Sequence, residues 1–197
     1  MSGKARLEGT VADKARACLK EITGLLERYG VRYCLDGGTL LGIVREGRLL
    51  PWDSDMDLFV PSTEIPKLRK CILPLWLRGY KLRLTRVTED YGPMPKDGLR
   101  ILKARTRKRL VSRGDVLLDI FVKYADDEKY YWSVIGKGKT IYKSVPRHFY
   151  DNLATIDFDG KSYPIPEDID GYLTCRYGDW KVPVEEWDYT KDDNAVM

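Results

Sequence analysis

Apolar residues at Val11, Ala15, Cys18, Leu19, Ile22, Leu25, Leu26 and Tyr29 recur at helical spacing, with polar residues between them. That stripe predicts an amphipathic helix over 10–29, with Gly30 as its C-cap glycine. The pattern then changes. Residues 31–35, "VRYCL", form a short β-prone run. The glycine turn of "DGGTLLGIVREG" follows, leading into a short helix with Leu40, Leu41 and Val44 as its apolar contacts, stopped at Gly47. Residues 57–60 read as a buried strand ended by Pro61. Ser62 suits the N-cap of a helix running to about Arg78, with Pro66 near its first turn and Pro74 kinking or dividing it.

Residues 80–87, "YKLRLTRV", alternate as a strand does, and "EDYGPMPKDG" reads as a loop. Residues 99–111 are basic and partly alternating, and 115–124, "DVLLDIFVKY", carry a strong buried-strand pattern. "ADDE" turns the chain into "KYYWSV" as a hairpin, and Asp159-Gly160 sits between β-prone runs as a second hairpin turn. Residues 166–178 look helical, with proline and acids at the start and glycine at the end. The polar tail beyond Asp188, 190–197 above all, is expected to fray. Without repeats or linker-like stretches, 1–197 reads as a single domain. Its mixture of strands and helices lacks strict alternation and predicts an α+β fold with a mixed sheet.

Composition narrows the function classes. An apolar fraction of 43% supports a packed core and argues against disorder. A net charge of +4 is too small to indicate nucleic acid, which is not expected as a partner. Four cysteines without a close pair, and one histidine, His148, argue against zinc. Cys18, Cys34 and Cys71 lie in apolar-periodic or strand-like segments and read as free buried thiols of a reducing compartment. The first residues lack an apolar signal core, and no stretch approaches the roughly 20 apolar residues of a membrane span. A cytoplasmic location is expected, with peripheral contact at the inner face of a membrane left open.

Against this background "PWDSDMDLFV" stands out. Asp53, Asp55 and Asp57 fall at every second position and so share one face of an extended chain. Carboxylates that close repel unless a cation or proton intervenes, and magnesium takes one or two carboxylates together with phosphate oxygens. A calcium loop is the first rival, but Leu58 stands where that loop needs glycine. A solvated acidic loop is the second. Context weighs against it. Gly37-Gly38-Thr39 lie just upstream at a strand-to-helix turn suited to phosphate, and Arg45 and Arg48 lie between as candidate phosphate clamps.

These residues carry a resemblance. "LDGGTLLGIVREGRLLPWDSDMDLFV" resembles the signature of LicD-type phosphotransferases, which include bacterial phosphocholine transferases, fukutin and fukutin-related proteins. The likeness resumes at "DVLLDIF" and at "SYPIPEDIDGYLTCRYGDW". It implies a nucleotidyltransferase-like mixed β-sheet flanked by helices. By the same resemblance Gly37 and Gly38 form the phosphate turn, and Asp55 and Asp57 are the metal-binding pair. Asp119 is the third carboxylate, and its place among Val116, Leu117, Leu118, Ile120 and Phe121 agrees, because a buried charge must be paired or bound. Asp53 is left between an outer-shell acid, a base for the acceptor and a turn residue. Asp36 is expected to hold the turn. Many relatives carry a histidine after the arginine that matches Arg45. Here Glu46 follows.

The resemblance implies an enzyme using Mg2+, with Mn2+ as the alternative ion. It would move phosphocholine, glycerol phosphate or ribitol phosphate from a CDP-linked small alcohol to a hydroxyl of a glycan or glycolipid, releasing CMP. Two alternatives stand beside it. One is a nucleotidyltransferase moving NMP from an NTP. The other is a non-catalytic module binding an acidic polymer through Lys103, Arg105, Arg107, Lys108, Arg109 and Arg113. The same basic run would also serve as a rim that guides an anionic donor, or as a solvated strand and loop. His148 reads as structural or surface. Tyr177, Trp180 and Trp187 suit either a sugar or base platform or the core.

Overall fold

The computed structural model describes residues 6–107, 113–184 and 187–197. Its frame is one mixed sheet. Strands β1 (Cys34–Asp36), β2 (Met56–Pro61), β3 (Lys81–Arg86), β4 (Leu99–Arg107) and β5 (Arg113–Ala125) lie in the order β1-β2-β5-β4-β3. The pair β2–β5 is parallel, while β1–β2, β3–β4 and β4–β5 are antiparallel. The far end of β5 continues into the meander of β6 (Lys129–Gly136) and β7 (Lys139–Pro146).

The central strand shows why the layers form. Val116, Leu118, Ile120 and Val122 of β5 are fully buried at alternate positions. Helix α1 (Gly9–Arg28) packs against this strand and buries Ala15, Cys18, Leu19, Ile22, Leu25 and Leu26, the stripe read from the sequence. Asp119, Phe121 and Lys123 alternate onto the other face, where Asp119 and Phe121 line a cleft. A separate hairpin, β8 (Leu153–Phe158) and β9 (Lys161–Pro166), turns at Asp159-Gly160 with both residues at positive φ. Helix α6 (Ile169–Tyr177) follows, its start capped where the Asp168 carboxylate accepts the Gly171 N–H.

Several expectations shift. The first strand begins at Cys34 rather than 31, and the glycine pair is not a separate turn but the opening of helix α2 (Gly37–Glu46). The helix expected after Pro61 opens as a 3-10 turn (Ser62–Glu64) and is then divided, as Pro74 led one to expect, into α3 (Ile65–Lys70) and α4 (Ile72–Leu77). Pro74 accounts for the break. It lacks the N–H that would bond the Lys70 carbonyl, so the ladder stops there and restarts in a new first turn. Ser62 is the first residue of the 3-10 turn, and Pro61 stands at the cap position. Strand β7 was not expected; Lys137-Gly138, both at positive φ, form a two-residue turn into it. The tail expected to fray is docked instead. Asp193 and Ala195 are buried, the Ser144 N–H donates to the Ala195 carbonyl, and Lys143 bridges to Val196.

Candidate active site

Strand register assembles the site. Asp36 of β1 lies opposite Asp57 of β2, and Asp57 lies opposite Asp119 of β5. Asp119 in turn lies opposite Lys103 of β4, and Lys103 opposite Arg83 of β3. Directly opposed residues share a face. One row across five strands therefore runs from three carboxylates to two cations, along the floor of a cleft of ≈ 650 Å³. Asp53 and Asp55, on the approach to β2, line the same cleft.

The carboxylates perturb one another. Burial, then the charges of Asp55, Asp53, Asp119 and Asp36, push the Asp57 carboxyl well above the usual carboxylate range. Asp119 is buried and receives the Lys103 ammonium at Oδ2. Asp55 accepts the Ser54 hydroxyl at 3.3 Å, and Asp53 accepts the Ser54 N–H at 3.0 Å. Among the described residues, no three or more carboxylates, histidines or cysteines are gathered tightly enough to hold a metal ion as they stand.

The glycine pair has a specific reason. Gly37 takes φ +56°, and a Cβ there would overlap the Asp57 carboxylate; a Cβ on Gly38 would overlap Oδ2 of Asp53. The glycines let two acids lie against the first turn of α2, where the helix dipole favours negative charge. The Thr39 hydroxyl accepts the Asp57 N–H at 2.9 Å and ties α2 to β2. Arg45 lines the cleft, donates to the Trp180 carbonyl and pairs with Glu46 at 2.8 Å. Arg48 pairs with the other oxygen of Glu46, is mostly exposed and is not among the residues that line the cleft. Glu46 thus joins two arginines at the place where the resemblance led us to look for a histidine.

Beneath the glycine turn lies a buried charge network. Asp36 pairs with Lys123 at 2.6 Å and Arg176 at 3.3 Å, and accepts the hydroxyls of Tyr150 and Tyr172. Burial alone would raise its carboxyl, but Lys123 and Arg176 hold it far below the usual range. Arg176 forms a bidentate pair with Asp193, at 2.9 and 2.7 Å, and Lys143 adds a third bond to Asp193 at 2.6 Å. The turn that carries Gly37 is thereby tied to the C-terminal tail, which extends the turn-holding role expected for Asp36.

The cations opposite the acids were not anticipated, apart from Lys103. Arg83, Arg100, Lys143 and Arg176 line the cleft. Alternation predicts Arg83 only once β3 is known to pair with β4. Arg100 sits where the β3–β4 register slips, and Lys143 lies on the unforeseen β7, so neither carried a usable signal. Arg100 donates to the Ser133 carbonyl at 3.3 Å, while its buried Nε has no partner among the described residues. Of the expected basic run, Arg105 and Arg107 end β4, the side chain of Arg113 is not described, and Lys108 and Arg109 lie outside the described residues. Trp52, Tyr177, Trp180 and Trp187 form an aromatic wall, with Tyr177 and Trp187 centred 5.1 Å apart. His148 is exposed on the short helix α5 (His148–Asp151).

The nucleotidyltransferase domain profile of the LicD/FKTN/FKRP family matches residues 30–168, which span β1 through β9 and every carboxylate of the row. The chain belongs to this family. It is 36% identical over 151 residues to the lipopolysaccharide cholinephosphotransferase LicD of Haemophilus influenzae, covering 71% of this chain and 51% of that protein. It is 24% identical over 184 residues to the ribitol-5-phosphate transferase FKTN of Homo sapiens, covering 93% of this chain and 36% of FKTN. A shorter match, 51% identical over 43 residues, joins it to the ribitol 5-phosphate transferase FKRP of Homo sapiens, covering 22% of this chain and 9% of FKRP. The chain thus spans about half or less of the length of these relatives. No helix of the described residues is long and apolar enough to cross a membrane.

Proposed function

We propose that the chain is a phosphotransferase that moves a phospho-alcohol, of the phosphocholine, glycerol phosphate or ribitol phosphate kind, from a CDP-activated donor to a glycan hydroxyl. The observation that carries this reading is the direct opposition of Asp57 and Asp119 inside a family domain whose relatives bear the names of phospho-alcohol transferases. The acceptor oxygen attacks the phosphorus distal to the nucleoside. The bond from that phosphorus to the bridging oxygen breaks, and CMP departs with the electron pair. A new phosphodiester results, and the hydroxyl proton passes to a carboxylate, which we assign to Asp53 beside Gly38.

The donor set fits a hard divalent cation, because it is all oxygen and because clustered charge already raises the proton affinity of Asp57. Asp55, Asp57 and Asp119 would hold Mg2+, which when bound neutralises diphosphate charge and the charge developing on the leaving CMP. Arg83, Arg100 and Lys103, the last paired with Asp119, line the cleft with the acids and bind the donor's phosphates. Arg45, anchored by Glu46 and the Trp180 carbonyl, holds one wall. The aromatic wall stacks the cytosine or a sugar.

The experiment is a turnover assay with CDP-choline, CDP-glycerol and CDP-ribitol, and in parallel with NTPs, reading CMP and pyrophosphate separately. CMP release that vanishes in Asp57→Ala and Asp119→Ala supports the reading. Pyrophosphate release from an NTP, with none of CMP from any CDP-alcohol, replaces it by nucleotidyl transfer.

A further inference from the structure

The face of the molecule formed by α4 and the edge strand β3 is apolar at its centre and basic all around. Leu73, Trp76 and Leu77 of α4 are 63%, 52% and 68% exposed, and Leu84 of β3 is 44% exposed. These side chains do not serve the core. Leu68 and Leu75, both fully buried, anchor the two short helices. A tryptophan and three leucines held together in water are an uncovered patch, not scattered surface residues.

The stretches of sequence that supply the patch are basic. Over residues 65–88 and 98–114 the chain carries fourteen lysines and arginines and no aspartate or glutamate. The rest carries twenty against all thirty acids, so the modest net charge hides a strong asymmetry. Three of the fourteen, Arg83, Arg100 and Lys103, belong to the cleft. Around the patch, Arg69, Lys70, Arg78 and Arg86 are exposed. The β4 register slips between Arg105 and Arg107, and the Arg107 guanidinium lies 5.8 Å from the centre of the Trp76 ring. Two acids touch the margin: Glu21 lies 3.6 Å from Arg78, and Glu64 pairs with Lys67.

We propose that this face docks on an anionic lipid bilayer. Trp76 seats its ring at the headgroup level, Leu73, Leu77 and Leu84 reach the acyl boundary, and the basic rim meets lipid phosphates. The two signals act together, since neither a few leucines nor a few lysines hold a protein on a membrane alone. A second copy of the chain fits the same face poorly, because a two-fold contact would set basic rim against basic rim. RNA uses cations and stacking faces, and has no use for protruding leucines. The proposal does not rest on the catalytic reading. It does place the cleft, since Arg83 and Thr85 of β3 line it while the neighbouring Leu84 joins the patch.

The test is sedimentation of the full chain with vesicles of phosphatidylcholine alone and of phosphatidylcholine mixed with phosphatidylglycerol, at low and high salt. Binding is expected on the mixed vesicles and should weaken with salt. The double variant L73S/L77S should lose about tenfold in vesicle affinity or more. R69E/K70E should do the same, and both should keep the wild-type circular dichroism and melting temperature, since all four residues are exposed. Absence of binding to mixed vesicles, equal binding to neutral ones, or variants that bind like wild type overturn the proposal. So does a dimer, or an RNA complex, that L73S/L77S abolishes while vesicles leave the wild type in solution.

Discussion

Asp57 and Asp119 are directly opposed residues of a parallel strand pair, β2 and β5, and their carboxylates enter one cleft. Parallel strands come together only through a crossover, so 61 residues of chain lie between two acids that line one cleft. The fold holds them together against their repulsion. That repulsion makes a prediction in two directions. Asp57→Asn should lower turnover by about a thousandfold, a usual loss when a group stabilising the transition state is removed. The same change should raise stability. A carboxyl whose folded value lies above its unfolded value gives stability below the unfolded pKa and loses it as pH rises through the folded one, so at neutral pH, well above the unfolded value, Asp57 burdens the fold. In chelator at pH 7 the Asn variant should melt about 2–4 °C higher, the shift worth about 1 kcal/mol in a chain of this size. Adding Mg2+ should raise the wild-type melting temperature and leave the variant unmoved. Equal melting in chelator would show that the acids do not strain the fold.

The two glycines of α2 should respond differently to alanine. Gly37→Ala meets both a positive φ and the Asp57 carboxylate, and should cost about 1–3 kcal/mol in urea unfolding. Gly38 has no such backbone demand, and the atom in the way is the end of the Asp53 side chain, which can swing aside. Alanine also favours a helix by roughly 1 kcal/mol over glycine. Gly38→Ala should therefore keep its stability and lose activity by moving Asp53. If Asp53 is the proton acceptor, adding Asp53→Ala to Gly38→Ala should cause little further loss. Additive losses would assign Asp53 another task.

What could be read in advance follows from the range of the interactions. The α1 stripe, the β5 core and the Asp159-Gly160 hairpin were legible because each is decided by neighbours in the chain. Asp55 and Asp57 were legible for the same reason: alternation alone puts them on one face. Asp119 was marked by being a charge among apolar residues, although its alignment with Asp57 depends on register. The cationic wall escaped because it needs pairings that no local pattern encodes. Arg100 sits at a register slip, and Lys143 on a strand whose turn, Lys137-Gly138, lacks the usual asparagine or aspartate. The tail was misread because its polarity is that of buried ion pairs, and Asp193 looks like a solvent residue until Arg176 and Lys143 are found around it.

Those ion pairs make the fold sensitive to acid. Burial would raise the Asp193 carboxyl, but Arg176 and Lys143 hold it at about 2, below its ordinary 3.8. A depressed carboxyl contributes stability above its unfolded value, and that contribution fades as pH falls through the folded one. Stability should therefore drop between about pH 4 and pH 2, and Asp36, depressed in the same way, should extend the loss to lower pH. Asp193→Asn should flatten the upper part of this slope. At neutral pH it should also cost about 3–5 kcal/mol, because Arg176 and Lys143 are left buried without their partner. Urea titrations at stepped pH check both points. An unchanged slope would locate the acid sensitivity elsewhere.

Arg100 should separate binding from stability. Its side chain is buried, its Nε lacks a partner among the described residues, and burial lowers its pKa even though Asp119 works the other way. An incompletely satisfied buried cation is a poor contributor to folding. Its natural complement is an anion in the cleft that Arg100 lines. Arg100→Met should keep or slightly raise the melting temperature. The KM for the CDP-alcohol should rise by about ten- to a hundredfold, the loss expected for one charge-assisted contact of about 1.5–3 kcal/mol. The effect on kcat should be smaller, because the contact is present in ground state and transition state alike. A fall in kcat with KM unchanged would move Arg100 from donor binding to the transferred phosphate. A large loss of stability would make it a structural residue of the β4–β6 contact through Ser133.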